Sequence, residues 1–229
     1  MQCPLCESFH FHEGSIDALG RQIFICDLCY LAYVDAKYHL TFEEQKKRYD
    51  RHENYETEGY VNFLNQCIQP TLPFLTKNNK ICGLDYGSGP ATFSKSEPYE
   101  SVLAKILRRD YGIRTFCYDP IYSPILEITN LSFGHPFDFL FSTEVWEHFT
   151  EIKETIRHIH SLVKVGGIIS VMTSPWKENT EFSEWYYARD ETHVVFYHKK
   201  TMEWISEKFS WKLVARPIES VWIFQKYSE

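Results

Sequence analysis

The sequence predicts an α/β fold, a sheet with helices on both faces, preceded by a small metal-binding module. Three observations lead to this prediction. Apolar strand-like runs alternate with helix-like segments from residue 78 onward. A glycine-rich turn follows the first of these runs. Two Cys-x-x-Cys pairs lie within the first thirty residues, ahead of the alternating part.

Length and composition limit the class of protein. The chain has 229 residues and is 44% hydrophobic, which is enough for one sizeable core and a small appendage. No stretch approaches the roughly 18 consecutive apolar residues of a membrane span, and the first residues do not resemble a signal peptide. The net charge of −7 disfavours nucleic acid as a partner. We therefore expect a cytoplasmic protein with no membrane segment.

The N-terminal cysteines have the spacing of a zinc ribbon over residues 1–40. Nineteen residues separate Cys3 and Cys6 from Cys26 and Cys29. A tight turn directs two sulfurs at one ion, and two such turns complete the tetrahedral set that structural Zn²⁺ accepts. Disulfides are the alternative, but an odd total of seven cysteines and no secretion signal favour thiols.

A helical connecting segment is expected over residues 41–77, since an N-cap threonine and early acids open it and prolines interrupt its end. Its polar aromatic part could close over a cofactor as a lid, or its aromatics could be core contacts. The residues considered for the lid are Tyr49, His52, Asn54 and Tyr60.

The main domain is expected over residues 78–229. Strands are predicted at 81–85, 114–118, 137–142 and 167–173, helices at 99–109, 151–163 and 199–208, and an antiparallel strand pair at 211–216 and 221–226. The segment 121–136 should hold a further helix and strand, although proline and glycine leave little room for them.

The turn after the first strand has the composition of a nucleoside-binding loop. Asp85 stands at the strand end, and Gly87, Ser88 and Gly89 follow, where the backbone must pass close to a ligand. A dinucleotide loop would have a third glycine where Thr92 stands, so an NAD-dependent oxidoreductase is disfavoured. The next strand ends in another acid, Asp119.

The run Asp85-x-Gly87-x-Gly89-x-Ala91 resembles the first motif of class I S-adenosylmethionine-dependent methyltransferases, with Ala91 in place of a frequent third glycine. The resemblance implies a Rossmann-like seven-stranded sheet and S-adenosylmethionine as cofactor. It also implies that Asp119 binds the two ribose hydroxyls. The remaining residues implied to bind the cofactor are Asp85, Gly87, Ser88, Gly89 and Glu144. The cysteine-rich front resembles a subset of bacterial methyltransferases with an N-terminal metal module.

Candidate catalytic residues follow the strand at 137–142. On a helical turn Glu144, Glu147 and His148 would share one face, and a second acid–histidine group contains His193. In one interpretation His148 or His193 is a general base oriented by a carboxylate. In another, these four residues hold Mg²⁺ or Mn²⁺ that acidifies a substrate hydroxyl. The second pattern resembles ubiquinone-biosynthesis O-methyltransferases and small-RNA 2′-O-methyltransferases. A salt bridge or a cofactor-pocket contact is the structural alternative.

The sequence thus leads to an S-adenosylmethionine-dependent methyltransferase that O-methylates a small-molecule metabolite or a sugar-linked intermediate. N- and C-methylation stay open, and the sequence says nothing of oligomeric state. The alternatives are a divalent-cation-assisted O-methyltransferase and a catalytically weak binding or adaptor protein. Four aromatics are expected either to flank the substrate entrance or to cover the sheet edge, namely Trp176, Trp185, Tyr186 and Tyr187.

Overall fold

The computed structural model describes residues 1–51, 54–75, 81–90, 100–122 and 137–229. Several sequence predictions fall outside these ranges. They concern His52, the turn at 78–80, the motif residues Ala91 and Thr92, and most of the segment 121–136.

The N-terminal residues form a small antiparallel sheet with cysteine-bearing turns at its end. Its strands are β1 (Phe11–Ile16), β2 (Gln22–Cys26) and β3 (Ala32–Val34). Cys26 closes β2, and the turn after it carries Cys29 before β3 begins. The strand pairing therefore places Cys26 and Cys29 beside the first cysteine pair.

Within the described ranges, five α-helices and seven further strands follow. The helices are α1 (Phe42–Tyr49), α2 (Glu58–Thr71), α3 (Val102–Tyr111), α4 (Ile152–Leu162) and α5 (Lys199–Lys208). The strands are β4 (Cys82–Tyr86), β5 (Arg114–Tyr118), β6 (Phe137–Thr143), β7 (Val163–Met172), β8 (Val195–Phe196), β9 (Trp211–Ala215) and β10 (Val221–Lys226).

Six of these strands form the main sheet in the order β5-β4-β6-β7-β10-β9. The first four are parallel to one another, and β10 runs antiparallel to both β7 and β9. The expected α/β fold and the antiparallel pair at its end are confirmed. The expectation was seven strands, and the described part of the chain contains six in this sheet.

Helices cover both faces because side chains alternate along the strands. On β6, Phe139 and Phe141 pack in one cluster with α2 and α3, whereas Leu140 packs in the other with α4 and α5. These three side chains are fully buried. Each contributes about 1.5–3 kcal/mol relative to an exposed position. The period of two therefore fixes which face each helix covers.

The N-terminal sheet is joined to the main domain by β8. Ala32 and Tyr33 of β3 pair with Phe196 and Val195, which makes β8 the fourth strand of the small sheet. The cysteines also pack in the same apolar cluster as α4. None of the helices that the structure describes is long and apolar enough to cross a membrane.

Candidate active site

The glycine turn is fixed by the ends of two parallel strands. The N–H groups of Gly87 and Ser88 donate to the carbonyl oxygen of Tyr118 over 2.7 and 3.0 Å. Gly87 has φ +79°, and a Cβ built on it would lie 2.4 Å from Cγ2 of Val145. Both the conformation and the space therefore require glycine at this position.

Asp119 connects this turn to the end of β5. Its Oδ2 accepts the N–H of Gly89 over 3.0 Å, and its Oδ1 accepts those of Ile121 and Tyr122 over 2.8 and 3.0 Å. An ionised carboxylate has about four acceptor positions. Backbone N–H groups of the described residues use three of these positions, which leaves one on Oδ2 for a hydroxyl.

Asp85 lies under the turn and is 3% exposed. Its Oδ2 accepts the hydroxyl of Ser101 over 2.6 Å, and the Ser101 oxygen in turn accepts the N–H of Ala104 at the start of α3. Burial raises the pKa of Asp85 to about 7, which outweighs the lowering by Ser101. The carboxyl group therefore links the first strand to the following helix.

A cavity of about 650 Å³ opens above these strand ends. This volume lies within the range of about 300–1,000 Å³ that small-molecule sites occupy. Among the described residues, the hydroxyl of Ser88 is buried at the cavity wall without a hydrogen-bond partner. The cavity brings together every non-cysteine residue that the sequence singled out for the site, namely Asp85, Gly87, Ser88, Gly89, Asp119, Glu144, Glu147, His148 and His193.

The segment after β6 differs from the helical turn that the sequence predicts. A short 3-10 turn spans Trp146–His148, and Glu144 precedes it with φ +54°. Glu144, Glu147 and His148 therefore do not share one helical face, and that expectation was wrong. The left-handed backbone at Glu144 is the physical reason, because it breaks the regular spacing before the turn begins.

Glu147 is fully buried between two histidines. Its Oε2 accepts the hydroxyl of Thr173 over 2.9 Å. Its Oε1 has no hydrogen-bond donor among the described residues and lies 3.8 Å from Nε2 of His148 and 4.0 Å from Nε2 of His193. Burial is the main cause that raises the pKa of Glu147 to about 7.

Backbone carbonyls orient both imidazoles. Nδ1 of His148 lies 3.1 Å from the carbonyl oxygen of Thr192, and Nδ1 of His193 lies 2.6 Å from that of Tyr187. A carbonyl oxygen only accepts, so Nδ1 carries the hydrogen in each ring and Nε2 keeps its lone pair. Burial lowers the pKa of both histidines to about 4, which keeps the rings neutral.

Glu147, His148 and His193 each offer one atom to a cluster in which all distances are within 4.8 Å. A carboxylate and two neutral imidazoles of this orientation are a donor set for a divalent cation. Glu144 is not part of this cluster. Its carboxyl group hydrogen-bonds to Tyr187, and burial raises its pKa to about 7.

The four N-terminal cysteines form a second cluster. Sγ of Cys3 lies 3.5 Å from that of Cys29, and Sγ of Cys6 lies 3.4 Å from that of Cys26. A tetrahedral site with Zn–S bonds of about 2.3 Å has sulfurs about 3.8 Å apart. The cluster is thus compatible with zinc binding. Sulfur atoms at these separations are not bonded as disulfides, whose S–S length is about 2.05 Å.

A family model described as a methyltransferase domain matches residues 55–216. The chain therefore belongs to this family, and the expectation of a methyltransferase domain is confirmed. A search of curated protein sequences returned no significant match.

Solved structures share the fold. One is N-methyltransferase 2 of Haemonchus contortus, in complex with phosphomonomethylethanolamine and S-adenosylhomocysteine, with 14% identity and a TM-score of 0.51 over 69% of this chain. The alignment covers 39% of that enzyme's length. Another comes from the complex between the Haloferax volcanii Trm112 methyltransferase activator and a methyltransferase, with 12% identity and a TM-score of 0.50 over 75% of this chain and 93% of the other.

Several contacts of the site could not be found from the sequence. Thr173 donates to Glu147, Tyr187 supplies the carbonyl behind His193, and Thr192 supplies the one behind His148. No local spacing signals a backbone carbonyl as a partner. Of the four aromatics expected either to flank the substrate entrance or to cover the sheet edge, Trp176 and Tyr187 are buried in an apolar cluster with Phe196 of the small sheet.

Proposed function

We propose that the protein transfers a methyl group from S-adenosylmethionine to a hydroxyl oxygen of a small-molecule metabolite or sugar-linked intermediate. We further propose that Glu147, His148 and His193 hold Mg²⁺ or Mn²⁺ beside this acceptor. The observation that carries the proposal is the convergence of their three donor atoms at the wall of the same cavity as the glycine turn.

The residues around the glycine turn suit the cofactor. When bound, S-adenosylmethionine would supply a methyl group on a positively charged sulfur. The acceptor oxygen would bond to the methyl carbon as the carbon–sulfur bond breaks, leaving neutral S-adenosylhomocysteine, and the hydroxyl proton would pass to water. Asp119 retains an acceptor position for a ribose hydroxyl, and the unpartnered hydroxyl of Ser88 lies in the same wall. Asp85 and Glu144 add buried carboxyl groups that favour a cationic ligand.

The orientation of the histidines favours cation binding over general-base catalysis. A base with a pKa of about 4 takes up a proton poorly at neutral pH. A metal ligand, by contrast, must be the neutral imidazole with its other nitrogen held by an outer partner, and both rings have that arrangement. A bound divalent cation lowers the pKa of a coordinated hydroxyl, which removes the need for a strong protein base.

We also propose that Cys3, Cys6, Cys26 and Cys29 hold a structural Zn²⁺. Four thiolates leave no open coordination position, so this site would stabilise the N-terminal sheet and take no part in the reaction. Thiolate ligands fit a reducing, cytoplasmic location.

The test is methyl transfer from labelled S-adenosylmethionine to a panel of hydroxylated, amine and carbon acceptors. Wild type, His193→Asn and the exposed-histidine control His10→Asn are compared after treatment with a chelator. We expect turnover on hydroxyl acceptors that is lost on chelation and restored by Mg²⁺ or Mn²⁺ in wild type and in the control but not in His193→Asn. Zinc content is measured in the same samples, so that loss of the cysteine-bound metal is recognised.

Other results would replace parts of this proposal. Full activity in the presence of the chelator, lost in His193→Asn, would support the histidine as a general base. Cofactor binding without turnover on any acceptor would support the adaptor interpretation. Turnover confined to amine or carbon acceptors would contradict O-methylation.

A further inference from the structure

Arg21 joins the N-terminal sheet to the segment that carries His193. It stands between β1 and β2 and is 4% exposed. Its Nε donates to Oδ2 of Asp17 over 2.7 Å. The two terminal nitrogens donate to four backbone carbonyl oxygens over 3.0–3.3 Å, those of Ala188, Asp190, Glu191 and His193. All five N–H groups of the guanidinium therefore have acceptors.

The same short segment orients both imidazoles of the cavity. His193 belongs to it, the Tyr187 carbonyl accepts Nδ1–H of His193, and the Thr192 carbonyl accepts Nδ1–H of His148. Tyr187 lies in a short 3-10 turn, Tyr186–Arg189, and the next regular element is β8. The direction of each Nε2 therefore depends on the backbone conformation between these two elements.

Four carbonyl groups directed at one buried point need donors there, because unpaired buried carbonyls are costly. The planar guanidinium supplies these donors in a fixed geometry that a lysine ammonium cannot reproduce. Asp17 balances the charge and is itself held, since its Oδ1 accepts the N–H groups of Leu19 and Arg21 over 2.9 Å. The turn between β1 and β2 thus presents a preformed ion pair to the segment.

We propose that Arg21 is a positioning residue that holds His193 and the carbonyl partner of His148 in place, which makes the N-terminal module a part of the methyl-transfer site. The proposal rests on the proposed function of these histidines as cation ligands. Arg21 does not line the cavity, so it acts on the cation donors through the backbone of the segment and not through the cofactor.

The test uses the full-length, zinc-loaded protein and the variants Arg21→Lys and Arg216→Lys. Arg216 is the matched control because its guanidinium also donates to a loop carbonyl, that of Glu219, outside the cavity. Mn²⁺ binding is measured from the electron paramagnetic resonance signal of the free ion, and S-adenosylhomocysteine binding by calorimetry. Amide hydrogen exchange is measured over residues 188–194.

We expect Arg21→Lys to weaken Mn²⁺ binding about tenfold or more, the usual effect of losing an outer partner of a metal site. Exchange over 188–194 should be faster, and S-adenosylhomocysteine affinity should be unchanged. Arg216→Lys should match wild type in all three. If Arg21→Lys does not fold, Asp17→Asn should give a smaller change in the same direction, because it keeps the guanidinium but removes the charge that orients it.

Wild-type Mn²⁺ affinity and wild-type exchange in Arg21→Lys would overturn the proposal. Parallel loss of Mn²⁺ and S-adenosylhomocysteine binding would also overturn it, because that result indicates a general structural role. Absence of Mn²⁺ binding in wild type would refute the proposed cation function instead. The exchange comparison would then still decide whether Arg21 holds the segment.

Discussion

Replacing Gly87 by alanine should damage both the fold and the cofactor site. The position has φ +79°, and the added Cβ would lie 2.4 Å from Cγ2 and 3.0 Å from Cβ of Val145. The contact includes the Cβ of a β-branched residue with a stiff χ1, so rotation of the side chain does not relieve it. The turn between β4 and Asp119 must therefore move.

The loss of unfolding free energy in Gly87→Ala is estimated by comparison with Gly112→Ala. Gly112 ends α3 with φ +66°, but a Cβ there meets no atom among the described residues within 4 Å. A left-handed alanine costs about 1–2 kcal/mol. About 0.4–1 kcal/mol is regained because the unfolded chain loses freedom. We therefore expect Gly112→Ala to cost about 1 kcal/mol. Gly87→Ala should cost a further 1–3 kcal/mol or so for the displaced Val145.

Urea unfolding of the two variants and wild type measures this difference. Calorimetric titration measures the affinity for S-adenosylhomocysteine. We expect a roughly tenfold or greater loss of this affinity in Gly87→Ala alone. The reason is that a small shift of the backbone that contacts the ligand removes hydrogen bonds worth about 1.5 kcal/mol. Equal unfolding free energies in both variants, together with wild-type affinity in Gly87→Ala, would refute the placement of the cofactor at this turn.

Three further predictions concern the buried acids and the cysteines. The folded pKa of Asp85, about 7, lies above its unfolded value of about 4, so its contribution to stability is lost as pH rises through that window. The advantage of Asp85→Asn over wild type should therefore grow between pH 4 and 7, by up to about 4 kcal/mol, and parallel urea-unfolding curves across this range would contradict it. Asp119→Ala should weaken S-adenosylhomocysteine binding by about 1.5–3 kcal/mol, whereas Asp110→Ala, at an exposed acid of α3, should not change the calorimetric affinity. Cys26→Ser should lower the zinc content from about one ion per chain, while Cys82→Ser should keep it, as elemental analysis would show.

Periodicity sufficed to predict the six described strands of the main sheet because the buried strands and amphipathic helices are local patterns. The alternation of Phe139, Leu140 and Phe141 is visible in the sequence and decides which helix each side chain meets. The pairing of β3 with β8 was not predictable in this way. β8 has two residues in a continuous apolar run, and its partner lies about 160 residues earlier in the chain, so no local period marks it.

The candidate site shows the same difference between features marked by local sequence and contacts made only by the fold. Residue type and spacing singled out Cys3, Gly87 and His193 as candidates, because thiols, left-handed turns and imidazoles have few substitutes. The orientation of His193 was not predictable, because it depends on a carbonyl of Tyr187 and, through that segment, on Arg21. Backbone acceptors have no sequence signature. Only the fold brings them to the ring.

The cavity contains buried carboxyl groups. Their ionisation is unfavourable in the absence of a ligand and favourable beside a cationic one. Burial raises the pKa values of Asp85, Glu144 and Glu147 to about 7. Burial therefore disfavours the ionised forms of these carboxyl groups, and a positive ligand nearby favours them again. A sulfonium cofactor and a divalent cation both supply such charge, whereas S-adenosylhomocysteine, which has lost the sulfonium charge, supplies less. If the cofactor binds in this cavity as proposed, we expect S-adenosylmethionine to bind more tightly than S-adenosylhomocysteine. Calorimetric titration with both ligands tests this, and equal affinities would contradict the argument.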